Sequence, residues 1–172
     1  MASLMENLIS VLEEEGKAYE ELLELSMKKT PIIIGGDLEN LQKITDDEQI
    51  IVAKINRLDA KREEVTKDIA NVLNKDVTKL KLADIIHLLS QRPVEQKLLA
   101  AAHDKLKEVV GQMTRINEQN RDLIQRSLEM VEFDLNLIQS MKSAPQTANY
   151  TKGAYSSGAF MGRSSGGFDA KQ

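Results

Sequence analysis

Residues 102–141 read AHDKLKEVVGQMTRINEQNRDLIQRSLEMVEFDLNLIQSM. Within them Ala102, Leu106, Val109, Met113, Ile116, Asn120, Leu123, Ser127, Met130, Asp134, Leu137 and Met141 recur at alternating spacings of four and three. A mean period of 3.5 residues keeps such positions on one side of a helix that packs against another helix. At Ser143 the pattern stops, and Ser, Ala, Gly and Asn take over.

Working outward, the same spacing recurs upstream. Leu41, Ile44, Glu48, Ile51, Ile55, Leu58, Arg62, Val65, Ile69 and Val72 form a second seam, predicting a helix from Leu38 to Leu73. Before it, Met5, Leu8, Leu12, Tyr19 and Leu22 share one stripe, widened by Leu23 and Leu25, and predict a helix over 2–29. Pro31 is expected to end that helix, because it lacks a donor and biases Thr30 away from helical angles. Gly35-Gly36 then reads as a turn and Asp37 as the N-cap of the next helix. No Lys-Ser, Lys-Thr or GxGxxG pattern accompanies the Gly pair, so it is a connector and not a phosphate cradle. Asn74 to Lys79 is a polar loop, Leu80 to Leu89 a short apolar corner helix, and Pro93 the first residue of the last helix.

Composition points the same way. Aromatics make up 3% of the 172 residues and charged residues 29%, with no Trp and no Cys. A core of Leu, Ile, Val, Ala and Met suits helix on helix. The expected architecture is all-α: an elongated antiparallel bundle of three long helices plus one short corner helix over 1–142, followed by a Gly/Ser-rich flexible tail over 143–172. The missing Cys removes disulfides and thiolate chemistry and suits a reducing cytoplasm. A net charge of −4 disfavours nucleic acid as the main ligand. The acidic N-terminus, with Glu6 and Glu13 to Glu15, does not resemble a secretory signal, and no apolar run approaches the ~20 residues that span a bilayer. The expectation is a cytoplasmic protein.

Helix lengths carry the functional argument. At 1.5 Å per residue the second helix spans about 54 Å and the last about 73 Å. In an up, down, up bundle the last helix overhangs its partners by on the order of ten residues. Met130, Val131, Phe133, Leu137, Ile138 and Met141 then lack an internal partner, a condition that normally draws in another chain. The following segment holds five of the nine Gly residues and four of the six aromatics, Tyr150, Tyr155, Phe160 and Phe168, which are read as contact points.

The sequence offers little equipment for chemistry. Asp84-x-x-His87, with His103 elsewhere, is one half of one di-metal motif, so no metal site and no cofactor are expected. The runs Glu13 to Glu15, Asp46 to Glu48 and Glu63-Glu64 are read as solvated faces, and no nucleophile triad has its strand-turn setting. No enzyme is expected. Five polar residues interrupt the seams: Glu48, Arg62, Asn120, Ser127 and Asp134. Glu48 and Arg62 either fix register or carry their heads out to water at the bundle edge. Asn120, Ser127 and Asp134 follow one another at seven-residue spacing and suggest a deliberately weak packed face, suited to a reversible partner.

Three stretches together resemble the FlgN family of flagellar export chaperones. They are Tyr19 through Lys28 with Gly36-Asp37, Leu41, Ile44, Glu48, Ile55, Leu58 and Arg62; NRDLIQRSL from Asn120 to Leu128; and Tyr150-Thr-Lys-Gly153. The resemblance implies a small helical chaperone that binds the C-terminal helical segment of hook-associated (hook–filament junction) proteins and delivers them to the export gate. It places cargo recognition on the last helix, with Leu123, Ile124, Met130, Val131, Leu137, Ile138 and Met141 as the cargo-binding candidates. It also implies a Tyr beyond that helix that docks on the cytoplasmic domain of the gate. Tyr150 matches by position, and Tyr155 also precedes a small-residue stretch. The competing reading is a structural coiled coil whose last helix self-associates with a second copy.

Overall fold

The computed structural model describes residues 2–143. The chain divides into two compact units, Met1–Glu132 and Phe133–Gln172. Among the described residues there are four α-helices and no strand: α1 (Ala2–Gly35), α2 (Leu38–Val72), α3 (Leu82–Leu88) and α4 (Pro93–Ser143), with one 3-10 turn at Leu89–Gln91. The fold is all-α, as the periodicity predicts. The Gly/Ser-rich tail and Tyr150 lie outside the described residues. None of the described helices is long and apolar enough to cross a membrane.

Within the first unit, cross-helix pairs set the chain directions. Glu15 meets Arg62, Glu21 meets Lys54 and Lys29 meets Glu48, so numbers rise along α1 as they fall along α2. Glu20 meets Lys105 and Thr30 meets Asn120, so α4 runs parallel to α1. The up, down, up order is the expected one.

The core follows the seams. One cluster joins Leu8 and Leu12 of α1, Val65 and Ile69 of α2, Leu99 and Ala102 of α4, and Leu80, Ile85 and Leu89 around α3. The short helix therefore closes the end where α1 begins, α2 ends and α4 begins. Further along, Ala18, Leu22, Ile55, Leu58 and Met113 form a second cluster.

Two helix ends are made by the same device. Gly36, at φ 66°, donates its N–H to Ile33 O at 3.1 Å, and Asp37 donates to Ile32 O at 3.3 Å. This is a Schellman cap, which needs a left-handed residue and takes Gly without strain. Asp37 at once becomes the N-cap of α2, its carboxylate accepting from Asn40 N–H at 3.1 Å. That hydrogen bond holds the Asp37 carboxyl below its ordinary pKa. At the end of α2, Asn74 takes the left-handed position (φ 52°), with Asn74 N–H on Asn71 O and Lys75 N–H on Ala70 O. Asn is the residue after Gly most able to occupy it.

Pro31 corrects the sequence reading. It does not end α1, which runs through it to Gly35. Pro31 removes the donor that Met27 O would receive in a helix. The turn is instead held from outside: Asn120 Nδ2 of α4 donates to Ser26 O at 2.8 Å, Lys29 pairs with Glu48 of α2, and Ile33 is buried. Tertiary contacts on both sides of the proline outweigh its local preference.

Candidate functional site

The heptad positions of α4 change character along its length. Ala102, Val109, Met113 and Asn120 are buried, Leu106, Ile116 and Leu123 are half-buried, and Ser127 and Met130 are exposed. In this register Thr30 of α1 lies beside Asn120, and the turn at Gly36 follows six residues later. Every residue from Gln125 to Ser143 is exposed. The seam thus loses its cover at about the point where α1 and α2 turn.

The last covered layer is polar. Asn120 is 4% exposed, and its Oδ1 accepts from Thr30 Oγ1 at 2.6 Å while its Nδ2 donates to Ser26 O. Ser26 Oγ donates to Glu48 Oε1 at 2.9 Å, and Lys29 Nζ donates to Glu48 Oε2 at 2.7 Å. Three helices are therefore stitched together by side chains whose demands are mutually met. This corrects the reading of Asn120, Ser127 and Asp134 as one weak face. Asn120 is an internal tie, whereas Ser127 and Asp134 are exposed, with Ser127 Oγ donating back to Leu123 O at 2.8 Å. Identical heptad positions differ because only the first has neighbours to bond.

Glu15 is a second correction. Read as part of a solvated acidic run, it is 2% exposed and lies 3.1 Å from Arg62 Nε, which also pairs with Asp59. The Nε–H is poorly aligned with the carboxylate, so neither buried atom completes a good hydrogen bond. Burial raises the Glu15 pKa, with Arg62 opposing and Asp59 adding to the shift. Burial lowers that of Arg62, but the Asp59 hydrogen bond and the charges of Glu15 and Asp59 outweigh it and raise it. Glu48 therefore hydrogen-bonds to α1 and Arg62 ion-pairs with it, so neither simply reaches for water.

The candidate face is the uncovered part of α4. In the first unit, Leu123 and Ile124 are half-buried, while Met130 (67%) and Val131 (54%) are exposed. In the second unit, Phe133, Leu137, Ile138 and Met141 are all exposed, Met141 at 71%. Two further members escape the sequence reading: Leu128 and Leu135 are exposed as well. They belong to a second row, Ile124, Leu128, Val131, Leu135 and Ile138, also spaced four and three but without a polar interruption. At about 100° per residue its first-unit members, Ile124, Leu128 and Val131, continue the side of α4 on which Met113 and Asn120 are buried. The signal for it was a heptad frame shifted by one residue from the row that contains Ser127 and Asp134. Gln125, Glu129, Glu132, Asn136 and Gln139 occupy the opposite side.

The residues considered for metal chemistry have other roles. Asp84 accepts from Lys81 N–H at 2.9 Å at the start of α3, His87 is exposed in its last turn, and His103 Nδ1 lies 3.1 Å from Asp104. Among the described residues no group of three His, Asp or Glu side chains is placed to hold a metal ion. What the exposed face offers is apolar surface with helical spacing.

A family model described as FlgN protein matches residues 1–157. No curated protein and no solved structure matches the chain.

Proposed function

The chain belongs to the FlgN family of flagellar export chaperones, and we propose that it binds hook-associated proteins through the uncovered end of α4. The observation that carries this reading is the exposure of Met130, Val131, Leu137, Ile138 and Met141 on a helix whose earlier heptads are packed. A cargo segment that forms an amphipathic helix can lie along these rows and complete the packing that α1 and α2 provide further back, through i, i+3, i+4 anchors. Leu128 and Leu135 join the anchors, and Leu123 and Ile124 sit at the border with the packed core.

Covering about 600 Å² of apolar surface supplies on the order of 15 kcal/mol gross. Ordering and association consume most of it, which leaves micromolar to nanomolar binding. Such binding keeps the cargo's own apolar helix from aggregating in the cytoplasm, and it is released without chemistry at this protein. Tyr150 is the residue proposed to dock on the cytoplasmic domain of the export gate, so cargo holding and delivery reside in successive parts of the chain.

The test is co-purification of Leu137→Asp and Met141→Asp variants with a hook-associated protein. Binding should be lost while helical circular dichroism is retained, because both positions are exposed in the free chain. Undiminished co-purification removes the site. Light scattering of the chain alone at several concentrations separates this reading from self-pairing of α4.

A further inference from the structure

Along α4 the row Ala102, Val109, Ile116, Leu123 and Met130 passes from buried through half-buried to exposed. A seven-residue row drifts by about 20° per heptad around a straight helix, so this one leaves the core on one flank. That flank is the one from which Lys105 reaches Glu20 of α1 at 3.1 Å, because Leu123 follows Lys105 by about five whole turns. The row keeps Ile, Leu and Met after it has left its own core, which calls for cover from another chain.

The facing flank of α1 is apolar at the same levels. Glu20, Met27 and Ile34 are seven residues apart, and Met27 and Ile34 are 55% and 69% exposed. Thr30 bonds Asn120 and the two helices run parallel, so Met27 is level with Ile116 and Asn117, and Ile34 with Leu123 and Ile124. The first unit therefore carries a groove between α1 and α4 with two apolar layers, Met27 with Ile116 and Ile34 with Leu123, about 10 Å apart. The Glu20–Lys105 ion pair closes the groove at one end, and Met130, one heptad past Leu123, stands at the other.

We propose that α1 forms the second wall of the partner site: the amphipathic helix of the hook-associated protein seats between α1 and α4 and places apolar residues seven apart on these two layers. This rests on the reading that the chain holds such a helix. The spacing selects a helix as occupant, since two helical turns repeat one side every ~10 Å, whereas an extended segment repeats one side every ~7 Å and falls out of step. Continuity selects the same partner, since Met130 of the proposed cargo face belongs to the row that Ile116 and Leu123 bring out of the core. A helix resting on α4 alone is touched along one side, and in the groove it is touched by two helices. The closed end adds selectivity. One heptad beyond the Met27 layer an apolar partner residue would take water from Glu20 and Lys105, so the partner carries a polar residue there.

Met27→Lys and Ile34→Lys in the full chain, titrated with a hook-associated protein by calorimetry, should each weaken binding about tenfold. Helical circular dichroism should be unchanged, because both positions are exposed. Ile50→Lys is the control: Ile50 is also 69% exposed but sits on α2, which does not line the groove, and binding should be unaltered. Full affinity in the two groove variants, or an equal loss in the control, overturns the inference. Leu137→Asp separates it from the α4 site. Loss there with none in the groove variants removes the groove alone, and loss in the groove variants with none there removes the α4 end alone. The chain has no Cys, so Ile34→Cys carries a single benzophenone label. Crosslinking to the hook-associated protein is the expected result, and crosslinking only to a second copy of the chain overturns the assignment.

Discussion

Replacing Asn120 by Ala should destabilise the protein although Ala is the better helix former. The side chain gives up a donor bond to Ser26 O at 2.8 Å and an acceptor bond from Thr30 Oγ1 at 2.6 Å. Each is worth about 1 kcal/mol net, and more where the remaining partner is left buried and unpaired. Some of that loss is recovered, because Thr30 Oγ1 lies 3.3 Å from Ser26 O and can satisfy both orphans at once. Helix propensity returns roughly 0.6 kcal/mol. A small void at a position 4% exposed adds to the loss, so the net expectation is about 2 kcal/mol. For a chain of this size that lowers Tm by roughly 6 °C. Urea titration followed by circular dichroism should show a lower midpoint with an unchanged slope. Ser127→Ala, one heptad later, is the control. That hydroxyl is exposed and bonds only its own helix, so its change should stay within about 0.5 kcal/mol. Equal effects of the two substitutions would refute the claim that the covered seam ends between them.

Further outcomes are expected. Pro31→Ala restores a donor in the interior of α1 and should stabilise by about 2 kcal/mol, the helix gain being partly offset by a freer unfolded chain; a loss in urea stability would show that the proline is needed. Gly16→Ala should gain about 1 kcal/mol, because Gly16 is helical and an added Cβ meets nothing within 4 Å; thermal melts decide it. Burial holds the folded pKa of Glu15 above its ordinary value, so its contribution is most favourable when protonated at low pH and is lost as pH rises through the folded value. Glu15→Gln should therefore raise the urea midpoint at pH 7.5, with the advantage shrinking toward pH 4; a lower midpoint at pH 7.5 would mean the Arg62 pair dominates. Tyr150→Ala should spare cargo co-purification and weaken pull-down of the export-gate cytoplasmic domain, and equal loss of both would contradict separate roles.

Much of the fold was legible because its determinants are local and periodic. The seams at Ile44, Ile55, Leu58, Val65 and Ile69 and at Val109 and Met113 are buried where the repeat places them. Asp37 caps as its type and position imply, and Pro93 opens α4. The candidate face was half legible. The apolar residues from Met130 to Met141 were named from the lengths of the helices, but Leu128 and Leu135 were passed over for the row containing Ser127 and Asp134. Periodicity gives a side of a helix, and where two apolar rows run side by side it does not say which one continues the core.

Sequence alone therefore determined three long helices, their order, the turns between them and the surplus length of the last. Tertiary structure decided what each ambiguous residue does. It carried α1 through Pro31, because contacts from two other helices hold the turn in place. It buried Glu15 against Arg62 where an acidic run suggested water. It also separated Asn120 from Ser127 and Asp134, which are indistinguishable by heptad position. A repeat specifies direction around a helix axis, but only the presence or absence of a neighbouring chain in that direction makes a side chain core or surface.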